Sequence, residues 1–95
     1  MISSLFGGVE YVGDGYAVIS VHDVGYQVRM TSPGLNAVRT AEGPVRLFTH
    51  LVVRDDELAL YGFLHRSERE LFLMLISVTR VGPVLALSVL SQIAI

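Results

Sequence analysis

Cysteine is absent from the 95 residues. That removes disulfide frameworks, thiolate zinc sites and cysteine nucleophiles together, and it leaves stability to packing alone. A reducing cytoplasm is the compartment this usage fits. Lysine is absent as well, all seven basic residues being arginine, so no glycine-rich loop is completed by the lysine that a phosphate-binding P-loop needs, and an ATPase is excluded. No basic residue precedes the first apolar stretch, where Met1 is followed by Ser3, Ser4, Gly7 and Gly8, and neither a signal peptide nor a transit peptide is visible. His22, His50 and His65 are scattered. They form no Ser-His-Asp or His-x-x-x-His arrangement, read most simply as polar or packing residues, and give no ground for a cofactor or a metal.

What is present fits one small domain, or one domain and the start of another. Nine acids against seven arginines give a net charge of −2, which is not that of a generic polyanion binder. The distribution says more: residues 1–63 sum to −3 and residues 64–95 to +1. An acidic front therefore precedes a weakly basic, very apolar back.

Short apolar and polar alternations broken by glycine fill the first sixty residues, the pattern of half-buried antiparallel strands. Strands are expected over Leu5–Val12, Tyr16–Val21, Tyr26–Met30, Val45–Val53 and Leu58–Phe63. Gly13-Asp14-Gly15 reads as a hairpin turn. Ser32-Pro33-Gly34 and Glu42-Gly43-Pro44 punctuate the middle, with room for one short helix across Leu35 to Val38. Five such strands imply a small closed or nearly closed β-barrel of five to six short antiparallel strands, because closure removes exposed edges. Tyr11, Tyr16, Tyr26 and Tyr61 alternate with aliphatics at strand spacing, which favours packing over a base-stacking platform.

Beyond Phe63 the period changes to that of a helical arm. Ser67-Glu68-Arg69-Glu70 has the form of a capping box, so a helix is expected from Ser67 to about Val78, and a second from Pro83 through Leu85 to Ile95. Residues 71–95 carry a single charge, Arg80, and a membrane span has to be weighed. Arg80 and Gly82-Pro83 fall near the middle of the run, where a charge costs ~2.5 kcal/mol or more and proline breaks the hydrogen-bond ladder. A core-facing helix pair is the better reading.

Two constellations could carry function. Thr79-Arg80-Val81-Gly82-Pro83 joins the two helices; a tight hairpin ending at a helix N-terminus offers unpaired amides and the positive end of the dipole to one phosphate, without reading sequence. An ordinary helix-helix turn is the competing reading. Arg54-Asp55-Asp56-Glu57 places three carboxylates on one exposed tip between strands. It reads as a solvated turn or as a device that repels phosphates; a metal site lacks the further ligands at a suitable spacing.

Taken in order, Val24-Gly25-Tyr26-Gln27-Val28, Thr49-His50-Leu51-Val52-Val53-Arg54-Asp55-Asp56, Leu60-Tyr61-Gly62-Phe63, Glu68-Arg69-Glu70-Leu71-Phe72, Leu75-Ile76-Ser77-Val78, Val81-Gly82-Pro83, Leu85-Ala86-Leu87 and Leu90-Ser91 resemble the RuvA family of bacterial proteins, which bind Holliday junctions and recruit the RuvB motor. The resemblance covers nearly the whole chain. It implies an oligonucleotide-binding-type (OB-fold-like) barrel over residues 1–63, then over residues 64–95 the first of two helix-hairpin-helix motifs, in a homotetramer that holds an open four-way junction. It gives Asp55 and Asp56 the role of the family's acidic pin, and Thr79, Arg80, Val81, Gly82, Pro83 and Val84 that of its first DNA-binding hairpin. Two departures stand in that hairpin: Arg80 where the family usually has glycine, and Val84 where it usually has lysine or arginine. The second hairpin and the domain that contacts the RuvB-type ATPase have no counterpart here.

The functional expectation is thus a non-catalytic, structure-selective subunit for four-way junction DNA in recombination and repair, with no cofactor and no membrane partner. An interaction and oligomerisation module without DNA binding is the alternative, and a hydrolase is a distant third for want of a nucleophile with an arguable base.

Overall fold

A computed structural model describes residues 2–93. Five strands, β1 (Ser4–Val12), β2 (Tyr16–Val21), β3 (Val24–Arg29), β4 (Val45–Arg54) and β5 (Glu57–Phe63), close into a barrel in the order β1-β2-β3-β5-β4. Three helices accompany them: α1 (Ser32–Arg39), α2 (Arg66–Ile76) and α3 (Pro83–Ser91). Helix α3 ends at Ser91, with Gln92 as its C-cap, so the expected second arm helix stops short of Gln92 and Ile93; Ala94 and Ile95, the rest of its expected span, lie outside the described residues.

All five expected strands form, with ends shifted by up to two residues. The pairing is antiparallel except at the closure, where β3 meets β5 in parallel through Val28↔Leu60 and Arg29↔Tyr61; an all-antiparallel barrel is corrected at that seam. The reason is topological: α1 carries the chain across one end of the barrel before β4, so β5 returns alongside β3 in the same direction.

The turn at Gly13-Asp14-Gly15 is as expected, with Gly15 at φ 85 and the Gly13 amide donating to the Tyr16 carbonyl at 2.8 Å. The next hairpin carried no glycine to announce it. His22 and Asp23, at φ 50 and 67, form a two-residue connection with both central residues left-handed, the twist that matches flanking strands.

The short helix also begins earlier than its expected Leu35. Thr31 is buried and its Oγ1 accepts from the Gly34 amide at 3.1 Å, so Ser32-Pro33-Gly34 is the first turn of α1 and not a loop. Proline suits that position because its missing N–H would be unpaired there anyway. Leu35 and Val38 then point into the barrel.

Two apolar clusters share β5. Leu5, Ala17, Ile19, Val28, Leu47 and Leu60 fill the barrel, while Ala59, Tyr61 and Phe63 on the opposite face of β5 meet Phe72, Ala86 and Leu90 of the arm. A strand buried on both faces reads without polar alternation, which is why Ala59 to Phe63 carries no polar residue, while Leu58 before it stays exposed. Gly62 is required by this arrangement, since a Cβ there would lie 2.4 Å from Val28 Cγ1. Phe72 is the pivot: its ring centroid lies 5.1 Å from that of Tyr61 and 5.1 Å from that of Phe63.

The cap of α2 lies two residues before the expected Ser67. His65 is the N-cap, and its amide donates to Glu68 Oε1 at 3.2 Å; Glu70 instead takes the Arg69 guanidinium at 3.1 Å. The acid three residues on from the cap decides the choice, and Glu68 and Glu70 both offered one. Among the described residues no helix is long and apolar enough to cross a membrane.

Candidate nucleic-acid interface

The interhelical hairpin is tight. Ser77 closes α2, the Val81 amide donates to the Val78 carbonyl at 3.1 Å, and Arg80 turns the chain at φ 77. A left-handed arginine is strained where glycine would not be, by ~1 kcal/mol. Gly82 is the extended N-cap of α3, at φ −87, and Pro83 opens the helix. The first amides of α3 have no intrahelical acceptor, and Thr79 and Val84 beside them are exposed. Pro83 is buried and Val81 half-buried, so they anchor the turn and offer no side chain to a ligand.

The acidic tip closes β4 onto β5. Arg54 and Glu57 are the last paired residues, Asp55 has φ 46, and Asp55 and Asp56 are exposed. Glu57 lies 3.9 Å from Arg29 Nη1, which leaves Asp55 and Asp56 as the uncompensated charges of the tip.

Arg54 connects the two features, and nothing in its spacing announced this. Although followed by three acids, it has no carboxylate partner among the described residues. A methyl group at Gly82 would sit 3.6 Å from its Nη1. Arg54 and Gly82, with Val52, Ile76, Val81 and Pro83, line one cleft of about 210 Å³. A guanidinium thus stands beside the mouth of α3, where position 84 supplies no cation. Only the contact between β4 and the hairpin reveals it, because the two segments are far apart in sequence.

His50 lies on the outer face of β4, its ring edge-on to Phe72 at 6.4 Å. Burial, and secondly the Arg69 cation, hold its pKa below the usual 6.5. Among the described residues no group of three acids or histidines could hold a metal ion.

Residues 1–62 match the model of the RuvA N-terminal domain. The chain belongs to the RuvA family. Similar proteins include the Holliday junction branch migration complex subunit RuvA of Arthrobacter sp. (strain FB24), 48% identical over 91 residues that make up 96% of this chain and 42% of that protein. The subunit of the same name from Micrococcus luteus is 47% identical over 91 residues, again 96% of this chain and 42% of the relative. That of Mycobacterium avium (strain 104) is 44% identical over 91 residues, 96% of this chain and 45% of the relative. The chain thus spans less than half the length of these RuvA relatives, and the shared part takes in both the acidic tip and the hairpin.

Proposed function

We propose that this chain is a non-catalytic, structure-selective binder of four-way junction DNA, acting within a branch-migration complex in recombination and repair. Residues 1–63 supply the barrel and the pin, and residues 64–95 the first hairpin arm. The observation that carries the reading is the juxtaposition of opposite charges: the Arg54 guanidinium beside the amides of Gly82 and α3, with the Asp55-Asp56 tip directly after it on the same hairpin.

The chemistry follows from that placement. One phosphate oxygen takes the free amides at the head of α3, where the helix dipole is positive, and Arg54 and Arg80 add charge-assisted donors. This grip is independent of base sequence. Asp55 and Asp56 penalise a continuous duplex lying across the same surface but are tolerated where strands diverge, so selectivity for junctions arises from repulsion rather than from extra attraction. No step makes or breaks a covalent bond. A homotetramer and a RuvB-type motor are the partners that the family relationship supports.

A gel shift of a four-way junction against a linear duplex of the same sequence tests the reading, with Arg54→Ala and Val84→Lys as probes. The junction is expected to bind more tightly. Val84→Lys is expected to tighten binding to any DNA and to steepen the log–log salt dependence by ~0.9, the value for one more neutralised phosphate, and Arg54→Ala to do the reverse. Equal binding of both DNAs, with neither probe changing the salt slope, would favour a protein-interaction module instead.

A further inference from the structure

The outer barrel surface on the β1 and β4 strands carries a feature that neither the pin nor the hairpin uses. Ser4 faces Phe48 and Phe6 faces Arg46 across the two strands. Leu5 and Leu47 between them point into the barrel, so these four side chains point out. The Arg46 guanidinium lies over the Phe6 ring at 5.0 Å, and the Arg66 guanidinium, from the first residue of α2, over the Phe48 ring at 4.9 Å. Phe6 is 51% exposed. Neither arginine has a carboxylate partner among the described residues, and Arg46 makes one long hydrogen bond, 3.4 Å to Ser4 Oγ.

Two cations over two phenyl rings, on a chain whose net charge is −2, make a positive patch without carboxylate partners, with the Phe6 ring exposed and the Phe48 ring half-buried. The two stacks are anchored two residues apart on β4, hence about 7 Å from one another. The ligand that satisfies both components carries anionic groups and flat apolar rings in alternation. An acidic peptide would pair with the arginines and leave the rings unused. A duplex keeps its base faces stacked inside and presents phosphates, with only base edges in its grooves. An unpaired nucleic-acid strand offers phosphates to Arg46 and Arg66 and base faces or edges to Phe6 and Phe48, the combination by which single strands are held without sequence preference.

We propose that the Phe6–Arg46 and Phe48–Arg66 face is a binding surface for single-stranded nucleic acid, separate from the junction-binding hairpin. Fluorescence anisotropy of a labelled oligothymidylate with the full chain tests this. Phe6→Ala is expected to weaken binding by roughly 5- to 100-fold, the loss of one stacked base, and Arg46→Ala to reduce the log–log salt slope by ~0.7, the loss of one single-strand phosphate. Both residues are on the surface, and circular dichroism confirms that the variants fold. Junction binding is expected to be unchanged in Phe6→Ala, which keeps this site's failure apart from that of the hairpin reading. The proposal is overturned if Phe6→Ala binds oligothymidylate as the unmodified chain does, if duplex or polyglutamate displaces the labelled strand as well as unlabelled oligothymidylate, or if Phe6→Ala weakens the junction equally.

Discussion

Asp55 and Asp56 lie one and two residues beyond an arginine whose guanidinium approaches the hairpin at Gly82, so the proposed attraction and the proposed repulsion belong to adjacent residues of one turn. Replacing both with asparagine removes two charges that oppose phosphate while keeping the turn. The double variant is expected to bind linear duplex more tightly and to narrow the preference for junctions, read by competition at low salt; unchanged duplex affinity would remove the pin from the mechanism. Stability should move by no more than about 0.5 kcal/mol, as for most surface substitutions. His50 gives a second test. Its pKa is depressed in the folded chain below 6.5, so the folded state takes up its proton less readily than the unfolded one. The stability this lends is complete above the unfolded value and declines as pH falls below it toward the folded value. Urea denaturation at about pH 7.5 and about pH 5 should show that loss, and His50→Gln should lessen it.

At the scale of elements, what could be read in advance depended on whether the determinant was local. The five strands and the Gly13-Asp14-Gly15 turn follow from alternation and glycine, and Pro83 marked the start of α3 correctly. The His22-Asp23 turn was silent because aspartate and histidine enter the left-handed region without a compositional signature. The parallel seam and the approach of Arg54 to Gly82 were silent for another reason: both are contacts between distant segments, which spacing does not encode. Asp55, Asp56 and the hairpin enter the proposal through resemblance alone, whereas Arg54 enters it through its approach to Gly82. The α2 element docks on the barrel mainly through Phe72, which is fully buried. Phe72→Ala is expected to cost about 3–5 kcal/mol, a large part of the ~5–15 kcal/mol typical of a whole domain, and a urea midpoint shifted by less than a few tenths of a molar would contradict its place as the pivot.

For the molecule as a whole, the arm leaves Met74, Val78, Val84, Leu85, Val89 and Ile93 substantially exposed. Apolar surface of that extent on one arm marks an interface or an aggregation-prone face. Self-association is therefore expected, in the fourfold mode proposed above, and sedimentation showing a clean monomer at tens of micromolar would count against it. Strand β5 has a different consequence. Because Leu60 closes the barrel interior while Ala59, Tyr61 and Phe63 form the floor beneath α2 and α3, neither unit can lose its packing without stripping a wall from the other. Cooperativity follows. Barrel and arm should melt in one transition, and in deuterated solvent the amides of Ala59 to Phe63 should be the last to exchange, opening only when the entire chain does.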